Sequence, residues 1–192
     1  MILPHVINLP FKAEREYLQG GDIFNALVSL ACPSPPISLR LHQIMRELIE
    51  VRRWTMGDRP EGLFVFRDFA GEQQTLSLRS TARKDPARRF PFDEQAVTSG
   101  YQINAKRIEM VHRDDVTFIE RCIALNKLLH NHVFPRVAGR WIVVRIDLNE
   151  IPDSISQVSL AFRSNAGSRL TCVELEADAR AIGDMYFSLV SS

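Results

Sequence analysis

The segment Gly20-Gly21-Asp22 places two glycines and a carboxylate immediately before a short apolar stretch that is typical of a helix. Backbone N–H groups at the N-terminus of a helix are oriented to stabilise a negatively charged oxygen, such as the one that develops when a carbonyl carbon is attacked. The glycines let a ligand approach the backbone closely, and Asp22 could activate or orient a water molecule. The alternative is structural, with Asp22 as the N-cap of the helix and the glycines as a turn.

Asn126 is a second candidate, because its polar amide falls within the apolar face of a predicted helix that begins near Thr117. With Phe118 as the origin of the helical wheel, Asn126 lies at about 80°, inside an apolar arc centred at about 40°. The amide must therefore find hydrogen-bond partners in the protein interior or in a cavity. A hydrogen bond to a loop and a contact with a substrate both satisfy this requirement.

His112 and Tyr17 each precede a predicted helix start by five residues, since the two helices are expected to begin at Thr117 and Asp22. A histidine can act as a base or as a donor that orients a ligand, because its pKa lies near neutrality. The ring of Tyr17 could anchor a substrate, although packing in the core is the commoner role of tyrosine. His112 also ends a predicted strand, where no function is required.

A basic loop at residues 81–100 could receive phosphate groups, because arginine binds phosphate through two parallel hydrogen bonds. Its positive residues follow Arg79 and are Arg83, Lys84, Arg88 and Arg89. Acidic residues in the same loop reduce its net charge, and a solvated surface is the alternative interpretation. The sequence does not decide between these two roles.

Metal binding is not predicted. His130 and His132 lack further ligands at suitable spacing, and they lie near a predicted helix end, where a cationic side chain interacts favourably with the helix dipole. The three cysteines are far apart and have no CxxC spacing, so buried free thiols are expected. No cofactor is expected.

Composition excludes several classes of partner. The 192 residues include 24 Lys and Arg against 23 Asp and Glu, a formal charge of +1, which gives no basis for expecting nucleic acid or an anionic membrane as partner. A hydrophobic content of 45% is ample for a core. The first residues show neither a basic leader nor a cleavage site, and no apolar run is long enough to span a bilayer, so a cytoplasmic location is expected.

Hydrophobic periodicity predicts a similar order of elements in both halves of the chain. In the first half we expect an edge strand at residues 2–12, a helix from Asp22 that ends at Cys32-Pro33, a long strand at 37–54 bent near Glu47, and a hairpin of strands 63–69 and 74–80. A helix at 37–54 is the alternative. In the second half we expect a strand at 101–112, a helix with a capping box of Thr117 and Glu120, and strands at 140–148, 155–163, 170–178 and 182–190.

This order, repeated at a period of about 95 residues, resembles the hot-dog fold, and two copies in tandem resemble its double form, which includes acyl-thioester dehydratases, hydratases and thioesterases. In the dehydratase branch a histidine precedes the central helix and an acidic residue follows about fourteen positions later. Here His112 is followed at that distance by Asn126. The Asp, Asn-Pro and His signature of the hydratase branch is absent, because Lys127 follows Asn126 and His130 comes four residues after it.

The resemblance implies an α+β fold of two hot-dog-like halves, residues 1–98 and 99–192, in one compact pseudo-dimeric domain. Each half is expected to wrap an antiparallel sheet around one central helix. Active sites in such proteins form where the copies meet, using the N-terminus of one helix and side chains of both copies. Alignment of the two helix starts sets Tyr17 opposite His112 and Ala31 opposite Asn126.

By this resemblance the protein is expected to process an acyl thioester of coenzyme A or of an acyl-carrier protein, by hydrolysis or by dehydration. The expected catalytic residues are Asp22, His112 and Asn126, and the expected substrate-binding residues are Tyr17, Gly20, Gly21, Arg83, Arg88 and Arg89. A homodimer is a possible assembly. The alternative is a non-catalytic module of the same fold that binds a hydrophobic ligand or a partner protein.

Overall fold

The computed structural model describes residues 3–82, 89–152, 154–167 and 169–190. The chain forms two compact units, residues 1–92 and 93–192. The first unit contains, in chain order, β1 (His5–Ile7), β2 (Phe11–Lys12), α1 (Gly20–Ala31), β3 (Ser34–Leu41), β4 (Ile49–Arg53), β5 (Gly62–Arg67), β6 (Gln73–Ser80) and β7 (Arg89–Phe90). The second contains α2 (Glu94–Thr98), β8 (Gln102–Asn104), β9 (Arg107–Val111), α3 (Phe118–Val133), β10 (Arg140–Leu148), β11 (Gln157–Ala166), β12 (Leu170–Ala177) and β13 (Arg180–Val190).

In the first unit an antiparallel sheet runs in the order β1-β4-β6-β5-β3, and β2 and β7 form a separate parallel pair. Helix α1 buries the side chains of Ile23, Phe24 and Leu27. The Phe24 ring meets the Phe64 ring of β5 edge to face, with the centroids 6.2 Å apart. Such contacts favour the helix because each buried apolar side chain of this size contributes about 1.5–3 kcal/mol.

Helix α1 ends where the sequence predicts. The Cys32 N–H donates to the Val28 carbonyl at 2.9 Å, and Cys32 has left-handed backbone angles, with φ 45°. Pro33 follows and cannot donate to a further helical hydrogen bond. The chain then enters β3 directly.

The single long strand predicted at residues 37–54 is wrong, because the segment forms two strands. β3 pairs with β5, whereas β4 pairs with β1 and β6, so the two strands lie apart in the sheet. The connection at 42–48 is packed into the unit, since the Met45 side chain is 1% exposed and its carbonyl accepts the Leu18 N–H at 2.9 Å. Local alternation cannot distinguish one bent strand from two strands with a buried link, because both bury every second residue.

The hairpin of β5 and β6 is confirmed. One carboxylate oxygen of Asp68 accepts the N–H groups of Ala70 and Glu72, both at 3.0 Å, and closes the turn. Gly71 has φ 80°, which glycine adopts at little cost. The turn therefore begins at Asp68, one residue before the predicted strand end.

In the second unit an antiparallel sheet runs in the order β8-β9-β11-β12-β13-β10. Helix α3 packs on β9, β10 and β11. Its start is confirmed as a capping box, because the Thr117 hydroxyl accepts the Glu120 N–H while the Glu120 carboxylate accepts the Thr117 N–H at 3.1 Å. Strand β10 spans the predicted residues Arg140–Leu148.

Two predictions for residues 81–112 need correction. The loop expected at 81–100 contains α2, whose N-cap Asp93 accepts the N–H groups of Gln95 and Ala96. The strand expected at 101–112 is a hairpin of β8 and β9, with Ala105 at φ 49° in its turn. Helix α2 contacts α3 within the second unit. The division at residues 98 and 99 stays a prediction.

The structure confirms the α+β class, and the strand orders of the two sheets differ in one respect. For this comparison strand 1 is β1 in the first unit and β9 in the second, and strands 2 to 5 are the four sheet strands after the long helix; β2, β7, α2 and β8 are left aside because they have no counterpart in the described part of the other unit. The first unit then has the order 1-3-5-4-2 and the second has 1-3-4-5-2. Because 37–54 contains two strands, the first unit also has four sheet strands after its helix. The units thus share an order of elements along the chain, while the last two strands exchange places.

Candidate functional site

Helix α1 begins at Gly20, and Gln19 is its N-cap residue, with no hydrogen bond from the Gln19 side chain to the helix. Gly20 and Gly21 are helical and buried. The prediction that Asp22 caps the helix is wrong, because Asp22 is the third residue of the first turn and an N-cap must have non-helical backbone angles. The first turn of α1 therefore begins with two residues that have no side chain to cover their N–H groups.

Asp22 forms an ion pair with Lys12 of β2. Lys12 Nζ lies 2.6 Å from Asp22 Oδ1, and the two side chains are only 10% and 12% exposed. The same ammonium lies 4.7 Å from the centroid of the Phe92 ring. Lys12 is a residue that sequence reasoning missed, because its partner is ten residues away and belongs to another element.

Arg89 is tied to the backbone that leads to α1. Its Nη1 donates to the carbonyls of Ala13, at 2.9 Å, and Arg15, at 3.3 Å. β7 pairs with β2, so Arg89 and Lys12 lie on paired strands. Tyr17 is half-buried in the segment between β2 and α1. The predicted partners of Arg89 in the basic loop, Arg83, Lys84 and Arg88, lie outside the described residues.

His112 follows β9 and is nearly buried, with its side chain 8% exposed. Its Nε2 lies 3.8 Å from Asp114 Oδ1, and its Nδ1 has no hydrogen-bond partner among the residues that the structure describes. Burial lowers the pKa of His112, the positive charge of Arg121 adds to this, and Asp114 acts in the opposite direction. The imidazole is therefore neutral near pH 7 and can accept a proton.

Arg121 was not predicted to have a role, although its charged side chain is fully buried in α3. Its guanidinium donates to the Val97 carbonyl of α2, to the Arg113 carbonyl at 2.8 Å, and to the Asp115 carboxylate. These bonds connect α2 and the segment after β9 to the first half of α3. The sequence does carry one indication that Arg121 is buried: it lies three residues after Phe118 and therefore at the edge of the apolar face of the helix.

Asn126 is fully buried, as predicted from the helical wheel. Neither its Oδ1 nor its Nδ2 has a hydrogen-bond partner in the described ranges of the chain. A buried amide without partners costs about 1–3 kcal/mol for each unsatisfied group, and such groups are uncommon in folded proteins. The hydrogen-bonding capacity of the Asn126 amide is therefore unused within the described residues.

His130 is not the cationic side chain at the helix end that the sequence predicts. It is fully buried, and rings of four residues surround it, at centroid distances from 4.4 to 6.4 Å: Trp141, Phe187, Phe134 and Phe162. Burial lowers the pKa of His130 to about 4, so the imidazole is neutral. Its Nδ1 lies 2.8 Å from the Asn126 carbonyl and its Nε2 lies 2.6 Å from Thr171 Oγ1.

Within the described residues, no group of three or more His, Cys, Asp and Glu could hold a metal ion. None of the described helices is long and apolar enough to cross a membrane. The three cysteines are free thiols as predicted, but only Cys122 is buried: Cys32 is exposed after α1 and Cys172 is half-buried, so the expectation that all are buried is wrong for these two.

No protein-family model matches the chain, and no curated protein matches it. Among solved structures it is similar to the 12:0-ACP thioesterase from Umbellularia californica, with 9% identity, a TM-score of 0.50 and coverage of 99% of this chain and 97% of that one. It is also similar to the bifunctional dehydratase-cyclase domain in ambruticin biosynthesis, with 12% identity, a TM-score of 0.50 and coverage of 91% and 83%. An acyl-ACP thioesterase from Bacteroides thetaiotaomicron has 10% identity, a TM-score of 0.45 and coverage of 96% of both chains.

At these identities the likeness concerns the fold alone. The 12:0-ACP thioesterase and the dehydratase-cyclase domain have the hot-dog fold, and the resemblance predicted from the sequence is confirmed for the fold. The chain has a hot-dog fold.

Proposed function

We propose that this protein acts on an acyl thioester of coenzyme A or of an acyl-carrier protein, by hydrolysis or by dehydration. The observation that carries the proposal is the fully buried amide of Asn126, which has no hydrogen-bond partner in the described part of the chain. The fold shared with a 12:0-ACP thioesterase and a dehydratase-cyclase domain supports an acyl thioester as the substrate class.

In the second unit, Asn126 Nδ2 would donate a hydrogen bond to the thioester carbonyl oxygen, which becomes more negative in the transition state. His112 would accept or return a proton, because its imidazole is neutral at pH 7 and its Nδ1 makes no hydrogen bond within the described residues. Arg121 would act as a positioning residue, since it connects the segment after His112 to α3.

In the first unit, the N–H groups of Gly20 and Gly21 are a second set of donors for a negatively charged oxygen. Asp22 would orient water while its charge is balanced by Lys12. Tyr17 would contact the substrate, and Arg89 with Arg83 and Arg88 would bind phosphates of the carrier. We also propose that residues 1–98 and 99–192 are tandem hot-dog-like repeats, and that the protein forms a homodimer. The shared order of strand, helix and four strands supports the repeat.

The test is turnover of a panel of acyl-CoAs and acyl-carrier-protein thioesters with short, medium and long chains, in which thiol release and enoyl formation are followed separately. A Cys32→Ser background removes the exposed thiol of the protein from the thiol assay. We expect Asn126→Leu and Asp22→Asn to lower kcat at least about tenfold, the usual size of a lost transition-state hydrogen bond. Asn131→Leu, an exposed position on the same helix, is the control and should keep full activity.

The thioester proposal is wrong if no acyl-CoA or acyl-carrier protein is turned over faster by the parent protein than by Asn126→Leu and Asp22→Asn. A second candidate function is a non-catalytic module that binds a hydrophobic ligand or a partner protein. A cavity at the end of α3 favours it, because none of the candidate catalytic residues lines that cavity. A hydrophobic molecule that co-purifies with the protein, without turnover, would support this second function.

A further inference from the structure

The second unit contains a cavity of about 410 Å³ beyond the C-terminal end of α3. Its described lining residues come from the segment after α3, from β10 and from the β11–β12 hairpin: Phe134, Val137, Trp141, Asn165, Gly167 and Thr171. Small-molecule sites in proteins have volumes of about 300–1,000 Å³, and this cavity lies within that range. The space is therefore large enough for a single aromatic ring with a short substituent.

Aromatic rings form one wall of this cavity. The rings of Phe134 and Trp141 lie 5.7 Å apart, with 32° between their planes. Gly167, in the turn between β11 and β12, is exposed and has no described atom within 4 Å of the place where a Cβ would lie, so the cavity opens to solvent beside it. Flat apolar rings favour a flat apolar ligand, because offset stacking of aromatic rings adds to the free energy gained by burying their surface.

The described lining of the cavity has no charged side chain at neutral pH. None of the described lining residues is ionisable. Behind Trp141 lies the imidazole of His130, 4.4 Å away between ring centroids, and its low pKa keeps it uncharged. A charged ligand would lose part of its hydration there without a charged partner among the described lining residues, which is unfavourable. A neutral ligand is therefore favoured over a charged one.

Hydrogen bonding at Thr171 determines the polarity of the ligand. The Asn126 carbonyl can only accept, so the proton of the neutral His130 ring is on Nδ1, which donates to that carbonyl. Nε2 then accepts, and the Thr171 hydroxyl donates to it across 2.6 Å rather than to the more distant Phe187 carbonyl at 3.4 Å. With its one proton used, Thr171 Oγ1 offers only lone pairs and can bind only a donor.

We propose that this cavity binds a small neutral aromatic molecule with one hydroxyl group, a phenol, whose ring packs against Trp141 and Phe134 and whose O–H donates to Thr171 Oγ1. This proposal names a ligand class for the non-catalytic binding module, the second candidate function, and it rests on that function and not on thioester turnover. Thioester turnover is a separate readout, since no candidate catalytic residue lines the cavity.

The test uses 4-ethylphenol and 4-ethylanisole, which have similar shapes but differ in the hydroxyl donor. Trp54→Phe leaves Trp141 as the sole tryptophan, so its emission reports the cavity. We expect saturable quenching by 4-ethylphenol and at least roughly fivefold weaker binding of 4-ethylanisole, the factor that corresponds to one hydrogen bond. Thr171→Val should abolish this preference, whereas Thr171→Ser, which keeps the hydroxyl, should retain it.

Val137→Trp should fill the cavity and abolish binding. Because this variant adds a second tryptophan, its titration is followed by NMR through the indole signal of Trp141 instead of by fluorescence. Val111→Phe, at an exposed site of the same unit outside the cavity, should leave the affinity unchanged. Absence of saturable binding, equal affinity for the two compounds, or binding that persists in Val137→Trp would each overturn the proposal. Urea unfolding curves of Thr171→Val and Val137→Trp, compared with that of the parent protein, identify a variant that merely fails to fold.

Discussion

The imidazole Nε2 of His130 lies 2.6 Å from the Thr171 hydroxyl, and both residues are buried, at 0% and 2% exposure. A hydroxyl paired with a histidine can be a nucleophile and its base. Here the low pKa of the imidazole makes it a weak base at pH 7, because burial disfavours its protonated form. The pair therefore orders the end of α3 and sets the hydrogen-bonding polarity of Thr171, and its effect on stability depends on pH.

Stability should fall as the pH drops from about 6.5 to about 4, because unfolded His130 binds a proton in this range and folded His130 does not. The lowered pKa of His130, from 6.5 to about 4, corresponds to a loss on the order of 3 kcal/mol. Urea unfolding of the parent protein and of His130→Phe at a series of pH values measures this. The variant should be less stable at pH 7 but should lose less stability on acidification.

His132→Gln is the control for the pH experiment, because His132 is exposed on the same helix end. Its stability should follow the parent protein at every pH. His112, whose pKa is also lowered by burial, is intact in all three proteins and contributes equally to each. Identical pH dependence in the parent and in His130→Phe would contradict the assignment of a buried, neutral imidazole.

Asn126→Leu should raise the free energy of unfolding by about 1–2 kcal/mol, because it replaces a buried amide without partners by an apolar side chain of similar volume. The same variant is expected to turn over acyl thioesters with a lower kcat. Stability gained together with activity lost is typical of a residue retained for function. Chemical denaturation measures the first effect, and Asn131→Leu should stay within about 0.5 kcal/mol of the parent. A strongly destabilised Asn126→Leu would mean that the amide is hydrogen-bonded in solution.

Arg121→Lys should destabilise the protein by about 3 kcal/mol despite the conserved charge. The guanidinium reaches the Val97 and Arg113 carbonyls with different nitrogens, and one ammonium cannot span both. Thermal and urea unfolding measure the loss, and Arg136→Lys at an exposed position is the control. Equal stability of Arg121→Lys and Arg136→Lys would show that the two hydrogen bonds of the Arg121 guanidinium do not stabilise the protein.

The Lys12–Asp22 pair should show strong coupling in a double-mutant cycle. Each single variant, Lys12→Met or Asp22→Asn, leaves one nearly buried partner without its counterpart and should cost about 3 kcal/mol. The double variant should cost less than the sum of the two by at least about 1 kcal/mol. Additive losses, measured by urea unfolding of the four proteins, would show that the two charges act separately.

Local signals in the sequence determined several features, because they depend only on neighbouring residues. Thr117 and Glu120 are three residues apart and cap α3, and Cys32-Pro33 ends α1. The burial of Asn126 followed from helical periodicity. The hot-dog resemblance was stated from the order of such elements and needs no knowledge of which strands pair.

Tertiary structure decided what depends on residues far apart in the chain. β3 pairs with β5, whereas β4 pairs with β1 and β6, and this pairing separates β3 from β4 in the sheet. Asp22 is a partner of Lys12 and not a helix cap because β2 passes beside α1. His130 is neutral because rings from β10, β11 and β13 surround it. Periodicity predicts which side of an element is buried, but the identity of the contacting group, and with it charge and pKa, depends on the packing of distant segments.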